Sequence, residues 1–421
     1  MKTIILFFSY FAFTSFSQSE SEKLFLNLVL ENSYEVIDSA NSYYGNGIEW
    51  LIEEGANAQY FMVGETHGTA EVPKICMSIY SGLAKNGYKH AALEISPFAA
   101  KKADKILRKG GYNKLEDYLT SYLGYNSSSF LGWKEEAQLA AHIVKLSNVK
   151  SDAIWGLDQE FMLGFKSYLN FLKIQSKTEK QKIAVSNMQQ KLETNDMLLI
   201  DLQTDNLKDF TNLFKEHDNQ EVKDLIQGIE ESHYIYGPWA NKSRISRAES
   251  NVVRENLIKK NFLAYNTTYS SEELPKVFFK FGGFHSAPAV NKINGTITLG
   301  TFIEEYALLK SVSAFNLFIE CYGGLKITSG QDDKITEKVT SCRSVYGEID
   351  TTKSFNQDGI HPFNSFLGNS DKVFLVDLRP LRLRMNEFDF LSEGMRSLIA
   401  GFDAYLALPG VTESQILELK Q

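Results

Sequence analysis

Six short runs, rich in Val, Ile, Phe and Ala and bounded by turn residues, recur along the chain: AQYFMVGE, HAALEIS, DAIWGLD, KVFFKFGGFH, AFNLFIE and KVFLVDL. Runs of this length suit strands buried on both faces, which have no polar side to alternate with. Helix-forming stretches separate them, and strands that alternate with helices join in parallel through crossovers. The ordering predicts an α/β fold with a largely parallel central sheet flanked by helices. In PKICMSIYSGLAKNG, apolar residues fall at helical spacing, Pro73 suits the first turn, and the KNGY stretch at 85–88 supplies a glycine stop. Residues 57–96 therefore read as one βαβ unit.

Residues from about 164 to 260 break the alternation. They are long, polar and helix-forming with an intermittent apolar stripe, which predicts a helical insertion packed against the sheet. A cover over a cleft and a plain solvated hairpin both remain open for it. The late MRSLIAGFDAYLALPGV reads as a helix, a short apolar strand and a turn. No internal repeat or low-complexity tract interrupts the pattern. With 421 residues, 43% of them hydrophobic, residues 18–421 can bury their core as a single domain that includes the insertion.

The first residues stand apart. Lys2 precedes an apolar run from Ile4 to Phe16, and Ser15 and Ser17 occupy the −3 and −1 places of a cut before Gln18, so residues 1–17 read as a secretory signal peptide. The run is shorter than the roughly 20 residues of a spanning helix, and no later segment is long and apolar enough. The expected location is periplasmic or secreted, with no stable membrane anchor after cleavage; an uncleaved anchor is the alternative. The formal charge of −8, with no dense Lys/Arg stripe, opposes a nucleic-acid partner and leaves a small-molecule substrate as the expected one. Of three cysteines, Cys321 and Cys342 could close a late loop in an oxidising compartment, while Cys76 sits at a helical core position as a small hydrophobe.

In parallel sheets ligands sit beyond the carboxyl ends of the strands, so the polar residues there are the candidates for chemistry. Strand ends supply Gly64, Glu65, Thr66 and His67; then Glu94 and Ser96; then Asp158 and Glu160; then Gly283, Phe284 and His285. They converge if the strands are neighbours. A carboxylate beside an imidazole fixes its tautomer and raises its pKa, and Glu65 and His67 have the spacing for that. A satisfied polar turn is the competing reading of Glu-x-His. Glu94 ends an apolar run and must find a partner, in a site or in a structural ion pair. No Gly-x-Ser-x-Gly elbow occurs, so Ser286 is not expected as a nucleophile; no phosphate loop or dinucleotide fingerprint follows a strand. His361 lies in a predicted loop, and Trp133 ahead of Glu135 and Glu136 reads mainly as packing.

GETHGTAEVP, YKHAALEIS, WKEEAQLAAHI, IWGLDQEF, KFGGFHSAP and FDAYLALPGV, in this order and over nearly all of the mature chain, resemble the erythromycin-esterase-like family. Its opening of Gly-Glu, a short gap, His-Gly-Thr and an acidic residue is matched by Gly64, Glu65, His67, Gly68, Thr69 and Glu71. The resemblance implies His67 as general base for water, Glu65 and Glu94 as its acidic partners, and His285 as the second active-site histidine. The opening gap is one residue where many members have two. Where the family has an arginine on the following helix, this chain has Cys76 with Lys74 nearby, and SRISRAESNVVREN offers Arg244, Arg247 or Arg254 as the missing cation.

The expected function is an exported hydrolase that uses this His/Glu site, without a cofactor, to direct water at an ester or related carbonyl. Lys74, Asp158, Arg247 and His361 are the expected substrate contacts. Folds with a similar Gly-Glu-x-His opening include Tiki-type metalloproteases and haem-uptake lipoproteins. The alternative is thus a metal-dependent peptidase or a haem- or metal-binding protein, with a divalent metal at Glu65, His67, Glu94 and His285. The chain lacks a His-Glu-x-x-His helix.

Overall fold

All six apolar runs form strands of one sheet, which has ten strands among the described residues. The computed structural model describes residues 19–39, 42–123, 125–240, 244–270, 273–288, 290–291, 295–328, 335–338, 343–344, 347–348, 363–367 and 372–418. The sheet strands are β1 (Ser33–Ser39), β2 (Ser42–Tyr44), β3 (Tyr60–Glu65), β4 (Tyr88–Leu93), β5 (Ile154–Gly156), β6 (Lys276–Gly282), β7 (Ala314–Thr328), β8 (Ile335–Lys338), β9 (Val373–Asp377) and β10 (Ala404–Val411). Their spatial order is β2-β1-β9-β10-β7-β3-β6-β4-β5, with β8 paired to the far end of β7.

The sheet is only partly parallel. Six adjoining strands, β10-β7-β3-β6-β4-β5, run parallel, while β9, β1, β2 and β8 pair antiparallel. Composition accounts for β1 but not for β9, an apolar run that is antiparallel to both of its neighbours. SYEVIDS in β1 is half-exposed rather than apolar throughout, so it suits an edge ribbon and gives no buried-strand signal.

Helices named here are α1 (Asn46–Asn57), α2 (Glu71–Lys85), α3 (Pro97–Tyr118), α4 (Lys134–Leu146), α5 (Phe165–Gln175), α6 (Glu179–Leu192), α7 (Thr204–Asn212), α8 (Gln220–Ala240), α9 (Arg244–Asn266) and α10 (Leu299–Leu309). Pro73 lies in the first turn of α2, as expected. Side chains alternate across the pleat. Val63, Ala91, Leu93 and Phe278 pack with Ile75, Ile79 and Leu139 of α2 and α4. Met62, Ala92, Phe279 and Phe281 face Ile258 and Phe262 of α9 and Ile303 of α10.

The insertion divides in two. Helices α5 to α8 bury their apolar stripes mostly against one another, joined by Phe98 of α3, whereas α9 lies on the sheet. Among the described residues no helix is long and apolar enough to cross a membrane. Cys76 and Cys321 are buried free thiols, and Cys342, the expected partner of Cys321, lies outside the described residues.

Candidate active site

The central order β3-β6-β4-β5 makes neighbours of the strands whose carboxyl ends carry the candidate residues. Glu65 is the last residue of β3, in register with Gly282 of β6. Glu94 follows β4 directly, Asp158 lies two residues past β5, and His285 sits in the single turn Gly283–Ser286 after β6.

His67 lies between two carboxylates. Its Nδ1 is 2.8 Å from Glu65 Oε1, and its Nε2 is 3.4 Å from Glu94 Oε2. Glu94 is the hub: its Oε2 accepts from the Gly282 N–H at 2.7 Å. Its Oε1 accepts from Arg254 Nη2 at 3.0 Å and lies 3.5 Å from His285 Nε2. Arg254 is in turn gripped by Asp158 through Nε at 2.9 Å and Nη2 at 2.5 Å. His285 Nδ1 meets Glu255 Oε1 at 2.5 Å, and the other oxygen of Glu255 accepts from the Leu299 N–H at 3.0 Å. The His67 side chain is 30% exposed and that of Glu94 5%, so solvent reaches the ring before the hub.

Glycine is required at two points. Gly68 has φ of +94°, and a Cβ there would lie 2.1 Å from the Ile327 carbonyl oxygen. At Gly282 a Cβ would lie 2.6 Å from His67 Nε2, so any side chain would displace the ring.

A second cluster lies beneath Glu65. Lys280 projects from β6 toward α2 and α4, where its Nζ bonds Glu65 Oε1 and Glu136 Oε1, the latter at 2.6 Å. Alternation along β6 dictates this direction, because Phe279 and Phe281 take the opposite face. A lysine inside an apolar run must have buried anionic partners, and that signal could have singled out Lys280, though not which carboxylates answer it. Glu255, adjacent to Arg254 in sequence, carries no comparable signal.

The charges respond to this setting. Burial would lower the His67 pKa, but Glu94 and Glu65 more than offset it and raise it to about 10. Burial works against ionised Glu65 and Glu94 as well. Lys280 and His67 nonetheless hold Glu65 below its usual range, and His67, His285 and Arg254 hold Glu94 well below. Burial, partly offset by Lys280, lifts Glu136 to about 7. Burial also pushes the Cys76 thiol far up, as suits a core side chain.

Of the residues singled out in sequence, Glu65, His67, Glu94, Asp158, Arg254 and His285 come together. Lys74 does not join them: its ammonium is 4.0 Å from Glu71 Oε1 at the start of α2. Arg247 is exposed on α9, and His361 lies outside the described residues. Ser286 is fully buried and donates to backbone carbonyls. Among the described residues no three His, Cys, Asp or Glu side chains are grouped to hold a metal ion.

No family model and no curated protein matches this sequence. Solved structures do resemble the fold. A protein from Bacillus cereus aligns at 16% identity and a TM-score of 0.58, covering 95% of this chain and 100% of its own. A succinoglycan biosynthesis protein aligns at 14% identity and a TM-score of 0.61, with the same coverage of both chains. A mutant of erythromycin esterase EreC in its open conformation aligns at 12% identity and a TM-score of 0.59, covering 88% of this chain and 95% of its own. At these identities the likeness is one of architecture, and it spans nearly the full length of each partner. The chain shares its fold with erythromycin esterase EreC.

Proposed function

We propose that the chain is an exported hydrolase that directs water at an ester or related carbonyl without a covalent intermediate. What supports the reading above all is the single Glu94 carboxylate shared by His67, His285 and Arg254 at the mouth of a parallel sheet. In this reading His67 takes a proton from water at Nε2, while Glu65 keeps the Nδ1 proton in place and stabilises the imidazolium that forms. The water oxygen adds to the carbonyl carbon. Arg254, oriented by Asp158, and His285, oriented by Glu255, face the developing oxyanion. The carbon–oxygen bond to the alcohol then breaks, and the imidazolium returns its proton to the departing oxygen.

The apolar run from Ile4 to Phe16 supports export. A fold shared with an erythromycin esterase supports ester chemistry as the class to test first. The test is a panel of neutral esters assayed with the parent, His67→Ala and Glu94→Ala. Loss of turnover in both variants is expected. Full turnover in both would refute the assignment. Metal analysis and an absorbance spectrum of the same preparation check the metal and haem alternative, and stoichiometric metal or haem would redirect His67 and His285 to the role of ligands.

A further inference from the structure

Phe130 has no part in the acid–base network, yet its ring lies flat against His67. The ring centroids are 4.3 Å apart and the planes 23° from parallel. Phe130 belongs to the short 3-10 segment Tyr125–Gly132 that leads into α4. Trp133 packs on it as well, at 5.2 Å between rings, and the Trp133 N–H donates to the Phe130 carbonyl at 2.9 Å. The residue before it, Ser129, has φ of +52°, a left-handed backbone that few non-glycine residues adopt.

One stretch of chain holds both rings in place. At one end the Ala70 N–H donates to Thr412 O at 2.9 Å and the Ser414 N–H to Gly68 O at 3.0 Å. Glu71 accepts there from the Thr412 N–H at 2.9 Å and its hydroxyl at 2.7 Å. At the other end the Lys134 N–H donates to Gln415 O at 2.7 Å and the Leu417 N–H to Gly132 O at 2.9 Å. The Gln415 N–H reaches Glu135 Oε2 at 3.0 Å. Residues 412–417 are thus bonded both to the turn that carries His67 and to the segment that carries Phe130.

Each ring nitrogen of His67 faces a carboxylate oxygen, Nδ1 that of Glu65 at 2.8 Å and Nε2 that of Glu94 at 3.4 Å. Such contacts fix the ends of the imidazole but leave it free to tilt about the line joining them. A flat apolar surface against the ring face removes that freedom. It also excludes water from that face and attracts the ring when protonated. We propose that Phe130 is a positioning residue for His67 and that residues 412–417 are the strap that keeps the two rings together; the inference rests on His67 being a reacting group.

The experiment uses the full chain with isotope-labelled histidine, the His67 signals being assigned with His67→Gln. The parent is expected to show a slowly exchanging Nδ1 proton and a Cε1–H signal shielded by the Phe130 ring. In Phe130→Leu the shielding disappears and exchange with water quickens about two- to thirtyfold, the scale of a lost ring contact. Phe130→Tyr, which keeps the ring, retains both signatures. Glu71→Ala touches neither ring but removes two of the four bonds given for the His67 end of the strap, and quickens exchange as well. Unchanged exchange in folded Phe130→Leu, or in Glu71→Ala should the leucine variant not fold, would overturn the proposal. No substrate enters these measurements, so the result stands apart from the outcome of the ester panel.

Discussion

The assignment of His67 as proton acceptor makes a demanding prediction about pH. A base must be unprotonated, and the two carboxylates flanking His67 raise its pKa to about 10. At pH 7 only about one molecule in a thousand then carries the neutral ring, a gap of three pKa units. kcat/KM, which follows the free enzyme, should rise about tenfold per pH unit from 7 to 9 and level off near 10. Glu65→Gln removes one of the two carboxylates and should move this limb down by about 1–3 units, the usual effect of a neighbouring opposite charge. The assay is the initial rate on a neutral ester that has no titrating group, corrected for hydroxide hydrolysis at each pH. Circular dichroism must accompany it, because the same shift affects stability. A histidine whose folded pKa is raised stabilises the protein fully below its unfolded value of about 6.5, and that contribution is lost as pH climbs through 10. A rate that is flat from pH 7 to 9 in a folded enzyme, or a limb unmoved by Glu65→Gln, would refute His67 as the base.

Three other perturbations test the surrounding structure. Burial lifts the Glu160 carboxyl to about 7, so the folded chain keeps a proton between pH 4.5 and 7 that the unfolded chain releases, and stability falls across that window by about 3 kcal/mol. Glu160→Gln, which can still accept from Ser96, should therefore be more stable than the parent at pH 8 and equal to it near pH 4; an equal gap at both pH values in thermal melts would contradict this. Lys280→Met leaves Glu65 and Glu136 facing each other without their cation and should lower the unfolding free energy by about 3–5 kcal/mol in urea, with part regained in Lys280→Met/Glu136→Gln. Gly282→Ala places a methyl 2.6 Å from His67 Nε2 and should cut hydrolysis about a hundredfold, whereas near-parental turnover would mean that the ring position is unimportant.

The six apolar runs were legible as strands because strands buried on both faces leave a compositional mark. β1 was not, because a half-exposed strand of Ser, Tyr, Glu and Asp reads equally well as loop. The spatial order of strands leaves no local mark either, and the site depends on it. Glu65 and His67 advertise themselves by lying two apart, but the partners that set their charge come from afar: Lys280 lies 215 residues from Glu65, and Arg254 lies 160 from Glu94.

What the sequence does carry for such pairs is an unmet need. A carboxylate ending an apolar run, as at Glu94, and a lysine inside one, as at Lys280, each require a buried opposite charge. The requirement fixes the sign of the partner without naming it. The three arginines of SRISRAESNVVREN came from the family resemblance, and the unmet charge at Glu94 could not choose Arg254 among them. It is also why Glu136, one of two adjacent glutamates at the start of α4, stayed indistinguishable from Glu135. Only the fold separates the two: Glu136 turns inward to Lys280, while Glu135 accepts the Gln415 N–H. Neighbouring side chains of like chemistry thus serve two devices, one setting charge beneath Glu65 and the other tying the C-terminal strap to α4.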